Sequence, residues 1–144
     1  MADGAILPKT AEGDIAEAVL EALRADPDVR SIFGHPARIY DDETKRPIHP
    51  YAMLQRHETR PADVTEFSAT EHIITVAVTS RFGGRRYARD ALGALRAAVE
   101  RSDFSPSGQR IVFAYTTYGD VFRTQDRKTF RGLLRIRIIS EEAA

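Results

Sequence analysis

The chain has 144 residues, of which 42% are hydrophobic and 29% charged, a composition that favours one ordinary globular domain and excludes wholesale disorder. It has no apolar run near the ~20 residues of a membrane-spanning helix, and residues 1–8 lack the pattern of a secretory signal. The absence of cysteine excludes disulfides and cysteine-ligated zinc. The 21 basic and 21 acidic side chains cancel, whereas a free-standing DNA-binding protein usually carries a basic excess.

Charge is unevenly distributed along this neutral chain. Residues 1–26 hold six acidic side chains and two basic ones, whereas residues 81–137 are rich in arginine. This asymmetry predicts a protein whose faces differ in charge.

The N-terminal third predicts helical structure. Residues 1–12 are expected to form a flexible tail, and Asp14 with Glu17 resembles a capping box that opens an amphipathic helix. Asp26-Pro27 should end that helix and start a short second turn, which Gly34 ends.

Strands are predicted over residues 37–40, 50–55 and 71–80, where β-branched and aromatic residues alternate with others. Residues 56–69 are polar and lack periodicity, so they are predicted to be an extended loop or arm.

The second half predicts a helix and a hairpin. After the break at Gly83-Gly84, apolar residues recur at helical spacing, namely Ala88, Ala91, Leu92, Leu95, Ala98 and Val99. Strands are predicted over 109–118 and 129–139, with 119–128 as a second extended loop or arm at the hairpin tip. In the last strand Leu134, Ile136 and Ile138 alternate with arginines, so that one face is buried and the other meets solvent or a partner.

These elements predict an α+β fold in a single domain over residues 1–144. Short connections favour a mostly antiparallel β-sheet, with the two main helices packed on one face.

Residue chemistry gives no candidate catalytic, cofactor-binding or metal-binding site. The four histidines, His35, His49, His57 and His72, do not follow one another at the spacing of metal ligands. Asp41-Asp42-Glu43 is best interpreted as a solvated corner between two strands, because aspartate satisfies turn amides. Gly83-Gly84-Arg85-Arg86 lacks the spacing of a phosphate-binding loop and is interpreted as a helix start.

The order of features resembles the DUF3168 family. The resemblance lies in "AVLEALRADPDVRSIFGHPARIYDDETKRPIHPYAMLQRHE", "TEHIITVAVTSRFGGRRYARDALGALRAAV" and "TQDRKTFRGLLRIRI", and covers roughly residues 15–140. It implies a tail-completion or tail-terminator protein of a long-tailed phage or a phage-derived gene transfer agent, without catalytic residues or cofactors.

The resemblance also implies partners and a location. The subunit would form a hexameric ring at the head–tail junction of the particle, contacting the tail tube protein and the head–tail connector or stopper protein. Contact with DNA in the lumen would be weak and non-specific at most. Before assembly, the subunit would be in the bacterial cytoplasm.

A ring requires two different complementary surfaces on each subunit, which the uneven charge could supply. The candidate intersubunit or ring-contact residues are Asp41, Asp42, Lys45, Arg46, Arg89, Arg96, Arg131, Arg135 and Arg137. Two alternatives are a different head–tail connector or neck component, and a small enzyme whose site is assembled from Asp41, Asp42, His72 and arginines.

Overall fold

The computed structural model describes residues 10–62, 69–81 and 83–143. Over these residues the chain forms three helices, α1 (Ala11–Ala25), α2 (Pro27–Phe33) and α3 (Gly84–Arg101), and a five-stranded sheet. The strands are β1 (Ile39–Tyr40), β2 (Tyr51–Ala62), β3 (Ala69–Ser80), β4 (Gln109–Arg123) and β5 (Phe130–Glu142).

The sheet has the order β1-β2-β3-β5-β4. Among the strands that the structure describes, only the short β1–β2 pairing is parallel, and the other three pairings are antiparallel. The predicted α+β class is therefore confirmed, and the predicted second turn is a seven-residue helix. None of the described helices is long and apolar enough to cross a membrane.

Helix α1 begins earlier than the capping-box pattern predicts. Thr10 is the N-cap, and its hydroxyl accepts a hydrogen bond from the Gly13 backbone N–H at 3.1 Å. The assignment of Asp14 as the start was wrong because residues 11 and 12 favour helix even though the apolar face begins only at Ile15. A flexible tail is wrong for residues 10–12, and residues 1–9 lie outside the described part of the chain.

Helix α2 begins and ends as predicted. The Asp26 carboxylate accepts from the backbone N–H groups of Asp28 at 2.9 Å and Val29 at 3.1 Å, with Pro27 in the first turn. Gly34 caps the C-terminus with a φ of 89°, a conformation that favours glycine.

The predicted loop over residues 56–69 is wrong wherever the structure describes it. Residues 56–62 extend β2 and Ala69 begins β3, while residues 63–68 lie outside the described part. The extension pairs in register with β3, for example Glu58 with Ile73. This half of β2 has polar side chains and only one neighbouring strand, so no apolar alternation marks it in the sequence.

The second predicted arm is mostly strand as well. Residues 119–123 belong to β4, and only the turn from Thr124 to Thr129 separates it from β5. The Asp126 carboxylate orders this turn by accepting from the backbone N–H groups of Lys128 and Thr129, each at 2.9 Å. Hydrogen bonds from the hydroxyls of Thr124 and Thr129, together with these backbone bonds, lower the pKa of Asp126 well below its usual value.

The core lies between the helices and one face of the sheet. The predicted stripe of α3 is buried, apart from Leu92, which is half-buried. It packs with apolar side chains of α1 and α2 against Ile74, Val76, Val78, Leu134, Ile136 and Ile138. Because side chains alternate along a strand, the intervening residues of β3 and β5 project from the opposite face.

Candidate interaction surface

The face of the sheet that points away from the helices combines arginine and aromatic side chains. Register places these residues together on the two adjacent strands β4 and β5. We call them the arginine–aromatic face; its members are Phe113, Tyr115, Tyr118 and Phe122 of β4 and Arg131, Arg135 and Arg137 of β5.

Guanidinium groups lie over the aromatic rings of this face. The Cζ atom of Arg135 is 4.7 Å from the ring centre of Tyr118, and that of Arg137 is 5.2 Å from the ring centre of Phe113. Arg137 also donates a hydrogen bond to the Tyr115 hydroxyl at 2.7 Å. Such contacts favour one placement of these long side chains over others.

A buried carboxylate anchors this arrangement. The side chain of Glu71 in β3 is 5% exposed and binds two arginines, Arg60 of β2 and Arg137, whose Nε donates at 2.6 Å. The hydrogen bonds from Arg60 and Arg137 keep the pKa of Glu71 below its ordinary value. The carboxylate is therefore ionised and fixes Arg137 across three strands.

Strand β4 is the exposed edge beside this face. Over the described residues it pairs only with β5. Residues 111–119, with the sequence IVFAYTTYG, contain no charged residue and no proline. Val112, Phe113, Tyr115 and Tyr118 are 39–46% exposed. An exposed edge strand of this composition is typical of a surface that is covered by another chain.

Two irregularities shape the edge. Bulges interrupt the β4–β5 register between Ile111 and Phe113 and between Thr116 and Tyr118. Bulges increase local twist, so a partner strand must match a shaped edge rather than a flat one.

The sequence predictions missed the aromatic half of this surface. Arg131, Arg135 and Arg137 were identified from their alternation, but the exposed residues of β4 were interpreted only as a strand. Residues 111–119 carry no charge, but neither do residues 72–80 of the buried strand β3, so no local signal marked this edge.

The remaining predicted contact residues lie elsewhere. Arg89 and Arg96 are exposed on α3, on the helical side of the sheet, whereas Arg135 is on the other side. Asp41, Asp42, Lys45 and Arg46 are exposed in the connection between β1 and β2. The structure thus brings together the three β5 arginines and does not place Arg89 and Arg96 with them.

A buried polar chain crosses the sheet on its helical side. The Ser140 hydroxyl donates its proton to Gln109 Oε1 at 3.0 Å. Its oxygen therefore accepts a hydrogen bond from Nε2–H of the fully buried His72, also at 3.0 Å. Nδ1 of His72 is then the acceptor for Nε2–H of His57 at 2.8 Å. Both ring nitrogens of His72 are occupied, which leaves none to act with Asp41 and Asp42 as the enzyme alternative requires.

Burial and the neighbouring His57 lower the pKa of His72 to about 4. Burial also lowers the pKa of His57, against the raising effect of the Glu12 and Asp41 carboxylates. The described residues include no group of three or more His, Cys, Asp or Glu side chains placed to hold a metal.

The fold of the chain is similar to that of a protein of known structure. A chain from the solved structure "Virion of native gene transfer agent (GTA) particle" is similar, with a TM-score of 0.81 and 23% identity over 92% of this chain and 99% of that one. At this identity the likeness shows the fold. No curated protein matches the chain.

The model of the family described as Tail completion protein gp17 matches residues 17–141, most of the chain. This match confirms the tail-completion part of the expectation from sequence, and it assigns the chain to structural proteins of phage tails rather than to enzymes. The chain belongs to the tail completion protein gp17 family.

Proposed function

We propose that the chain is a tail terminator, which forms a hexameric ring that caps the tail tube and joins it to the head connector. The observation that carries this proposal is the exposed β4 edge beside the arginine–aromatic face. Monomeric proteins usually protect such edges and apolar patches, so their exposure indicates a surface that another chain covers. Membership of the tail completion family supports it.

A closed ring needs heterologous contacts, in which two different surfaces of each subunit meet. The arginine–aromatic face and the β4 edge form the first surface. The outer side of α1, where Glu17 and Glu21 are exposed, has the opposite charge and is the proposed second surface. Arginine and aromatic residues are the side chains most enriched at the centres of protein interfaces.

The likeness to a chain of a gene transfer agent particle supports a place inside a phage-like particle. In that setting the tail tube protein and the connector or stopper protein are the proposed neighbours, at the head–tail junction. Assembly follows synthesis in the bacterial cytoplasm. The exposed groups Arg89, Arg96, Asp41, Asp42, Lys45 and Arg46 are then proposed contacts to neighbouring proteins rather than to the next subunit.

Electron microscopy of the chain mixed with purified tail tubes tests this function. We expect six-fold rings at one end of the tube, and native mass spectrometry of the released material should give the mass of six subunits. Binding to the head connector but not to the tube would instead identify a neck component. A chain that binds neither particle part would contradict both roles.

A further inference from the structure

One end of the molecule is strongly basic although the whole chain is neutral. The cations come from the start of α3 with the residue after β3, and from the β4–β5 turn with its flanks. We call them the basic end; they are Arg81, Arg85, Arg86, Arg123, Arg127, Lys128 and Arg131, and Asp126 is the one acidic residue in the turn beside them.

The side chain of Phe130 joins the two segments. The Cζ atoms of Arg85 and Arg123 lie 5.8 and 5.2 Å from its ring centre. Arg81 Nε donates to the hydroxyl of Thr129 at 3.4 Å. Cations that are far apart in the sequence are thus held on one surface.

These cations have no ion-pair partner among the residues that the structure describes. The Asp126 carboxylate is already held by turn hydrogen bonds, and Nε of Arg131 is buried without a partner. All except Arg131 are exposed.

Two further features agree with this distribution of charge. Burial and the charge of Arg81 both hold the pKa of His49 below its usual value. At the opposite end of β5, Glu142 and Asp14 line one cleft, and the nearby Arg110 is paired with Glu141. The arginine at that end is therefore in an ion pair, unlike the cations of the basic end.

We infer that the basic end binds the phosphate backbone of double-stranded DNA, without sequence preference. The centres of protein interfaces are apolar, whereas here the central Phe130 is buried and the exposed groups are guanidinium and ammonium ions, with no exposed aromatic ring among the described residues of the basic end. Interfaces with DNA are more polar and much more positively charged. The neutral total disfavoured DNA binding, but binding depends on the local cations that displace counterions from phosphates.

The basic end is a surface other than the proposed ring contact. The ring is assigned to β4 and the arginine–aromatic face, which share with the basic end only Arg123, the last residue of β4, and Arg131. DNA binding is measured on the free chain and ring formation on the chain mixed with tail tubes. Each result can therefore be negative while the other is positive.

The test is fluorescence anisotropy of a labelled duplex titrated with the chain at about 50 to 200 mM salt. The variant is Arg86→Gln/Arg127→Gln/Lys128→Gln, whose three side chains are exposed. The matched control, Arg46→Gln/Arg56→Gln/Arg96→Gln, removes the same charge from exposed positions elsewhere.

For the wild-type chain we expect affinity to fall steeply with salt, to the same degree for unrelated duplex sequences. The basic-end variant should bind about tenfold or more weakly at low salt, with a log–log salt slope smaller by about 2 to 3, because each phosphate contact contributes about 0.9. The dissociation constant of the control should stay within about twofold of the wild-type value, because its three substitutions change only the long-range attraction between the whole chain and DNA.

Equal losses in the variant and the control would overturn the inference, as would a wild-type chain without salt-dependent binding. Polyglutamate of matched charge is the second probe. If it binds at least as tightly as DNA and the basic-end variant loses it, the surface fits an acidic protein and the DNA assignment is wrong.

Discussion

Nε of Arg137 donates to Oε2 of Glu71 at 2.6 Å, and this pair joins a buried carboxylate to the open face of the sheet. We expect Glu71→Gln to lower the free energy of unfolding by about 1–2 kcal/mol, because two charge-assisted hydrogen bonds are lost around a buried group. Chemical denaturation at neutral pH measures the change.

Arg60→Gln provides the control for this pair. Its side chain is 75% exposed although it binds the same carboxylate, so its removal should cost clearly less than the Glu71 change. Equal losses for the two variants would contradict the idea that Glu71 acts mainly through Arg137.

The buried histidines predict that stability falls on mild acidification. His72 has a pKa of about 4 in the fold and 6.5 as its ordinary value, so the unfolded chain takes up the proton first. The stability from neutral His72 is complete above about pH 6.5 and is lost progressively as the pH falls towards 4. Between pH 7.5 and 5 the expected loss is about 2 kcal/mol.

Melting temperature followed against pH checks this expectation. The His72→Asn variant should be less stable at pH 7.5 but should show a flatter dependence between pH 7.5 and 5. His35→Asn changes an exposed histidine and should retain the wild-type slope. A wild-type profile that is flat over this range would show that His72 is not the titrating group.

The capping glycine of α2 should tolerate no side chain. At Gly34 the backbone has a φ of 89°, and an added Cβ would lie 2.4 Å from Nη1 of Arg38. Gly34→Ala should therefore cost about 1–2 kcal/mol of unfolding free energy.

Gly93→Ala is the opposite case in the same chain. Gly93 lies within α3, and a Cβ added there meets nothing within 4 Å. We expect a gain of about 0.5–1 kcal/mol, because alanine restricts the unfolded chain and favours helix. Thermal unfolding of both variants measures the contrast, and a gain at Gly34 would contradict the cap assignment.

Charge reversal separates the two groups of predicted contact arginines. Arg135→Glu alters an exposed residue of the arginine–aromatic face, so we expect loss of rings with an unchanged melting temperature. Arg89→Glu/Arg96→Glu alters the helical side and should leave the ring intact. Native mass spectrometry of the six-subunit species reports both results, because docking on the tube can depend on Arg89 and Arg96 as contacts to a neighbouring protein. The reverse pattern would move the ring contact to α3.

The elements that could be predicted are those whose own sequence carries the signal. The stripe of α3 and the cap at Asp26 arise from residues a few positions apart, and both were correctly placed. The alternation of Leu134 with Arg135 likewise distinguished the two faces of β5.

The errors arise where distant residues decide the structure. The polar half of β2 becomes strand because β3 offers backbone partners, for example His72 beside Thr59, and no local pattern shows this. The hydrogen bond between His57 and His72 likewise depends on that pairing. The contact between Arg135 and Tyr118 requires the β4 register, which the bulges shift.

The uncharged edge of β4 has a consequence for how the chain must be produced. Before it is covered, the β-branched and aromatic segment 111–119, which lacks charge and proline, can recruit other strands and lead to irregular aggregates. Overproduction without tail tubes should therefore give insoluble material that increases with concentration. Production together with the partner protein should keep the subunit soluble, because the partner covers this segment before other strands can pair with it.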